Sequence, residues 1–173
     1  MARYDRARFF LSLMTTIILF PDPTFGQAEC IEGVKGGYTK IDEPRRSIKS
    51  KFKQGQNAIC DRALAWGWYR FDSYTGGKMP EQKVDQMRCG TVHPVWMKGK
   101  HPTVAEGTVN RTACINFYDM LNGCLATLKI KVRNCNNFFV YFLGPTHSCP
   151  LAYCSGKSLH TFGHLFIITA FTV

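Results

Sequence analysis

The sequence predicts a mainly β fold with little helix: a small disulfide-stapled extracellular module with about four bridges. Three observations carry that expectation. The chain has 173 residues and eight cysteines. The number is even and no C-x-x-C occurs, which speaks against a zinc ribbon or a thioredoxin-type redox pair. The first residues read as a secretory signal, so the cysteines face an oxidising compartment. Short apolar runs bounded by Gly, Pro and Asn fill the rest, as in turn-rich β domains.

The signal reading rests on three arginines (Arg3, Arg6 and Arg8), then the mostly apolar stretch from Phe9 to Phe20, then Pro21-Asp22-Pro23 and small residues up to Ala28. A bilayer span needs about 20 apolar residues, so a cleaved signal over 1–26 is the better reading and no transmembrane span is expected. The remaining length suits one domain, 27–154, followed by a tail over 155–173 that reads as disordered. In the tail, Ser155-Gly156, a polar spacer and the apolar end from Leu165 to Val173 sketch a lipid-anchor signal, but the apolar part is short for one. His160 and His164 lie four apart without the Glu of a zinc-protease helix.

The cysteines are Cys30, Cys60, Cys89, Cys114, Cys124, Cys135, Cys149 and Cys154. Eight cysteines allow 105 pairings, and spacing alone does not choose among them. Each bridge should stabilise the fold by about 2–4 kcal/mol, chiefly by restricting the unfolded chain.

Net charge is +10 for the whole sequence and +9 once 1–26 are removed, with 19 basic against 10 acidic residues left. The densest run holds Arg45, Arg46, Lys49, Lys51 and Lys53 and reads as an exposed loop, 45–53, ahead of Cys60. It is either a solvated loop, the favoured reading, or a site for sulfated glycans and anionic surfaces. Nucleic acid is not an expected partner for a secreted chain.

Trp66 to Phe71 reads as an aromatic strand, with a tight turn at Gly76-Gly77. Trp66, Trp68 and Trp96 suit either sugar stacking or core packing, and core packing is the expectation in a small β module. His93-Pro94 and His101-Pro102 look like a metal pair but lack a third ligand, and a residue before proline is held extended in any case. No metal or cofactor is expected.

Asn110-Arg111-Thr112 is the one N-x-[S/T] sequon. It predicts an N-glycan on a surface loop. Ile115 to Leu121 is the candidate for the one helical turn or short helix. Lys129 to Arg133 alternates charged and β-branched residues, one face wet and one buried. Phe138 to Leu143 is a continuous apolar run and the candidate central core strand, and Leu151 to Tyr153 a short last strand. There is no G-x-S-x-G, no H-E-x-x-H and no convincing carboxylate pair. An enzyme is not expected.

The motifs C-D…G-W-Y-R-F, K-M-P-E, R-C-G-T…H-P-V-W-M-K-G-K-H-P, E-G-T-V-N-R-T-A-C, V-R-N-C and C-P-L-A-Y-C occur in that order. Together with Y-T-K-I-D-E-P-R-R-S before them, they resemble the eight-cysteine domain shared by uromodulin, the pancreatic secretory granule membrane glycoprotein and oncoprotein-induced transcript 3. The resemblance implies a β-rich, non-catalytic extracellular module that carries glycans, including mannose-rich ones bound by bacterial fimbrial adhesins.

It also implies the pairs Cys30 with Cys135, Cys60 with Cys149, Cys89 with Cys154, and Cys114 with Cys124. Two departures stand out. The family pattern has a cysteine where this chain has Lys83, and a Cys-Cys doublet where it reads Gly123-Cys124. One bridge lost as a unit would look like this. Relatives also carry sequons near the positions of Met97 to Lys100 and Tyr141 to Gly144, where this chain has no Asn. The adhesin role therefore does not carry over residue by residue.

The expected function is extracellular recognition or adhesion by a secreted, non-enzymatic glycoprotein module, with an extracellular protein or glycan as partner. The alternative is a secreted cationic effector that binds anionic glycans or microbial surfaces through loop 45–53.

Overall fold

A computed structural model describes residues 27–156. The signal reading of 1–26 and the tail beyond Gly156, with His160 and His164, lie outside the described residues. Seven strands form one sheet: β1 Tyr38–Ile41, β2 Gly67–Phe71, β3 His93–Lys98, β4 Thr108–Ile115, β5 Ala126–Asn134, β6 Phe139–Leu143 and β7 Leu151–Tyr153. Their order is β1-β2-β6-β5-β4-β3-β7. The two outermost pairs, β1 with β2 and β3 with β7, are parallel and the inner four pairs are antiparallel. Helix is confined to short 3-10 turns among the described residues. The fold is mainly β.

The strand patterns explain the layering. In β5 the side chains of Ile130 and Val132 are buried while Lys129 and Lys131 are exposed, as the period of two requires. In β6, Phe139, Tyr141 and Leu143 point into the main core, and Val140 is also buried on the opposite side. That two-sided burial is why the run is almost wholly apolar. β6 is an interior strand between β2 and β5, and β5 is the middle one.

Residues of one face of the sheet, among them Val95, Met97, Ala113, Ile115, Leu151 and Tyr153, join Phe71 and Met79 in this core. Each of the large aliphatic, Met and Phe side chains contributes roughly 1.5–3 kcal/mol of burial. Tyr153, on edge strand β7, donates its hydroxyl to the Gly144 carbonyl just beyond β6 (3.0 Å). The sheet thus curls around its own core. A smaller cluster lies on the other face, built from Val84, Cys89, Trp96, Cys114 and Cys154.

All eight cysteines are bridged: Cys30–Cys135, Cys60–Cys149, Cys89–Cys154 and Cys114–Cys124, with sequence separations of 105, 89, 65 and 10. These are the pairs the resemblance implies. The two positions at which the resemblance implies a further bridge lie side by side. A Cβ built on Gly123 would lie 2.6 Å from Cγ and 2.8 Å from Cδ of Lys83. The lysine stem therefore fills the space beside Gly123, and its Nζ pairs with Asp119 at 2.8 Å.

Two expectations change. Ile115 to Leu121 is not a helix as a whole: Ile115 closes β4 and pairs with Val95 and Ala126, and only a 3-10 turn over Met120–Gly123 overlaps its end. Tyr118, Asp119, Leu121 and Asn122 all have positive φ. The cause is the Cys114–Cys124 bridge, whose Cα atoms are 4.6 Å apart. A seven-residue helix would carry the chain about 10 Å forward, and here it must turn straight back. Ser155 and Gly156 also belong to the fold, contrary to the disordered reading of 155–173. They are buried and bridge to Ser47 and Lys78.

Candidate recognition surface

The face of the sheet opposite the main core carries the most unusual surface. One row crosses five strands: Asn110 on β4 is opposite Lys131 on β5, Lys131 opposite Phe142 on β6, Phe142 opposite Trp68 on β2, and Trp68 opposite Tyr38 on β1. The next row places Thr112 between Lys129 and Lys98. None of the strand residues on this face is acidic. At the far end, Arg133 pairs with Glu29 (2.9 Å), and Lys40 and Arg70 pair with Asp72 (3.4 and 3.0 Å). Lys98, Lys129 and Lys131 have no ion pair among the described residues.

The aromatic part of the row is fixed in place. Trp66 stacks on Phe142, with centroids 6.0 Å apart and planes at 25°, and Trp68 meets the same ring edge-on at 5.6 Å. Lys131 places its Nζ 5.8 Å from the Phe142 centroid. A Cβ at Gly144 would collide with the Trp66 indole. Glycine is required there because the indole lies directly on the backbone.

Trp66 nevertheless stays 63% exposed. The core-packing expectation is therefore wrong for Trp66. It is right for Trp96, which is 7% exposed and donates its indole N–H to the Gly123 carbonyl at 2.8 Å. Trp68 is half-buried.

Asn110 is exposed, but on strand β4 and not on a loop. The sequon was legible. Its strand setting depends on a long β4–β5 pairing that extends from Ile115 out to Thr108, beyond the last β3 partner of β4.

The basic run needs correction. Arg46 is buried and grips Asp61 with both terminal nitrogens, at 2.7 and 2.6 Å, while also donating to the Tyr153 carbonyl. Asp61 Oδ2 accepts the Tyr153 amide as well (2.7 Å). Arg45 forks onto Glu43 through Nε and NH2. Neither arginine is free for an anion, and 45–53 is not one exposed loop. Charge density along the sequence could not show this, because the partner of Arg46 lies fifteen positions away. Lys49, Lys51 and Lys53 remain exposed. Lys49 lines a cleft of about 760 Å³ together with Lys78, Arg88, Glu81, Asp85 and His101.

The histidines do not meet. His93 opens β3 and packs on Phe117. His101 is inside a hydrogen-bonded chain. Its backbone N–H and Nδ1 meet Glu81 Oε1 (2.9 and 2.5 Å), and its Nε2 meets the Tyr141 hydroxyl (2.7 Å), which in turn accepts the Met79 amide (3.0 Å). Burial pushes the His101 pKa below its ordinary value, against the opposing pull of Glu81. Burial alone would raise the Glu81 pKa, but the hydrogen bonds from His101 hold it below the usual carboxylate range. Burial also moves Tyr141 strongly upward. A neutral imidazole that donates from Nδ1 and accepts at Nε2 satisfies every member. The chain is a buried structural network, and no group of three metal-binding side chains occurs among the described residues.

Sequence reasoning read Lys129 and Lys131 as a wet strand face and Phe142 as core. It missed that these residues share one face with Trp66 and Asn110. The alternation K-I-K pointed to the lysines, whereas the cross-strand register was not written in any local pattern.

Comparison with known proteins agrees with this architecture. The family model described as uromodulin-like, an eight-cysteine domain, matches residues 69–155. The pancreatic secretory granule membrane major glycoprotein of Canis lupus familiaris is 43% identical over 125 residues, covering 72% of this chain and 23% of that protein. Its Homo sapiens counterpart is 38% identical over 120 residues, covering 68% and 21%. Uromodulin of Rattus norvegicus is 41% identical over 105 residues, covering 60% and 16%. The chain thus spans less than a quarter of the length of these relatives. No helix among the described residues is long and apolar enough to cross a membrane. With four bridges in place and the family model spanning half of its length, the chain belongs to the uromodulin-like eight-cysteine domain family.

Proposed function

We propose that this chain is a secreted, non-enzymatic glycoprotein module that acts in extracellular recognition or adhesion. Residues 1–26 direct it to the secretory route, and Asn110 carries an N-glycan. The observation that supports this most is the sheet face, without an acidic strand residue, on which Asn110, Lys129, Lys131 and the exposed Trp66 lie together. The partner, an extracellular protein or glycan, meets that face and its glycan as one surface.

The test is capture of the secreted chain by epithelial cell surfaces, compared with Asn110→Gln and with Lys129→Glu plus Lys131→Glu. Both variants should bind less. Capture that neither change alters would refute the assignment of this face.

The cleft favours a second reading, the cationic effector, with an altered residue set. Lys49, Lys78 and Arg88 share that cleft, whereas Arg45 and Arg46 are engaged elsewhere. Salt-sensitive retention on heparin, lost when Lys49, Lys78 and Arg88 are neutralised, would select it over the first.

A further inference from the structure

We propose that the N-glycan on Asn110 does not project freely but folds back along the row Lys131–Phe142–Trp68 and ends against the open side of Trp66. The outer sheet face is thereby a saccharide-binding strip whose occupant is the chain's own glycan. The inference rests on the proposed modification of Asn110 and goes beyond it, because it fixes where the sugar lies.

The register gives the path. Asn110, Lys131, Phe142 and Trp68 are consecutive cross-strand neighbours. Strands lie about 4.8 Å apart, so Phe142 is about 10 Å and Trp68 about 14 Å from the Asn110 backbone, roughly the reach of a disaccharide and a trisaccharide. The opposite direction offers no comparable track, because β3 ends at Lys98 opposite Thr112, two residues short of Asn110's row. There the chain turns away, with Arg111 Nε held by the Lys100 carbonyl.

The chemistry along the path suits a sugar. Pyranose rings present a C–H face to aromatic rings and hydroxyls to donors at their rim. Phe142 and Trp66 supply ring surface already ordered by stacking, and Gly144 beneath Trp66 leaves the indole no room to sink inward. Ordering these side chains therefore costs little at the moment of contact. Lys131 and Lys129 supply ammonium donors, and among the described residues no carboxylate pairs with either. Left uncovered, this face would keep a tryptophan 63% exposed.

The experiment compares the secreted chain with Asn110→Gln, Trp66→Ala and Lys131→Ala variants, after intact mass has measured glycan occupancy. Acrylamide quenching of tryptophan fluorescence reports chiefly on Trp66, since Trp96 is buried and Trp68 half-buried. Quenching should be weaker in the glycosylated chain than in Asn110→Gln, and Trp66→Ala should abolish that difference. The glycan's increment in Tm should shrink in both Trp66→Ala and Lys131→Ala.

An unmodified Asn110 would overturn this inference together with the glycoprotein reading. A glycosylated Asn110 with equal quenching and an unchanged Tm increment would overturn this inference alone. So would an Asn110→Gln chain that captures a free sulfated hexasaccharide through Trp66 while the glycosylated chain shows no protection of Trp66. That result would give the strip to an external sugar.

Discussion

Adding a fifth bridge tests the packing of Lys83 on Gly123. The perturbation is Lys83→Cys together with Gly123→Cys. A Cβ at Gly123 has Lys83 Cγ at 2.6 Å and Asn116 Cγ, third nearest, at 3.3 Å. The Lys83 Cβ is one C–C bond from its Cγ, so it lies beyond 3.3 Å and within about 4.1 Å, inside the window of roughly 3.5–4.5 Å that disulfides use. Closing a loop of this length, positions 83 to 123, should add about 4 kcal/mol by the chain-entropy relation. Two losses offset part of it. The backbone at Gly123 has φ +73°, which costs a Cβ-bearing residue roughly 1–2 kcal/mol. The exposed Lys83–Asp119 pair is also given up, a small loss in water.

The net gain is about 2 kcal/mol, which should raise Tm by about 5–10 °C for a domain of this size. The assay is calorimetry of the oxidised double variant against each single variant. Peptide mapping under non-reducing conditions would locate the new bridge. Free thiols at both introduced cysteines, or a Tm at or below that of the parent, would refute the placement of Lys83 against Gly123.

Three further outcomes follow from features described above. Asp61→Asn should cost about 3–5 kcal/mol, because it leaves the Arg46 charge buried against an uncharged amide. Secretion yield and Tm would measure this, and a Tm close to the parent's would contradict the burial of that pair. Acidification should destabilise the domain. Burial holds the folded His101 pKa below 6.5, so the unfolded chain takes up its proton first. The contribution is complete above that value and is lost as pH falls through the folded pKa. Glu81, also lowered, adds a loss of the same sign further down. A Tm series from neutral to acidic pH should fall less steeply in His101→Gln, and parallel slopes would remove His101 as the cause. Gly144→Ala should push Trp66 off Phe142, seen as a change in tryptophan near-UV dichroism. An unaltered spectrum would mean the indole does not lie on that backbone.

The legible parts of the fold were those written in local pattern. The alternation around Ile130 and Val132, the apolar run through Tyr141 and the cysteine count gave strands and staples directly. The pairing of the cysteines came from resemblance, since spacing left all combinations open. What local pattern could not reveal was relation at a distance. Arg46 reads as a surface charge until Asp61 and the Tyr153 backbone enclose it. Trp66 reads as core until the β2–β6 register sets it over Gly144, on the face away from the main core. The Cys114–Cys124 loop reads as a helix because composition there says nothing about the bridge that forbids one.

The spans of the four bridges overlap. Cys30–Cys135 reaches past Cys60, Cys60–Cys149 past Cys89, and Cys89–Cys154 runs to the end of the last strand. Every peptide bond between Cys30 and Cys154 is therefore enclosed by at least one of them. A protease that cuts once anywhere in that range produces two chain ends but releases no fragment. The nicked product stays one molecule of nearly unchanged mass, separable only after reduction. For a chain exposed to proteases, a single cleavage is then a scar and not a loss.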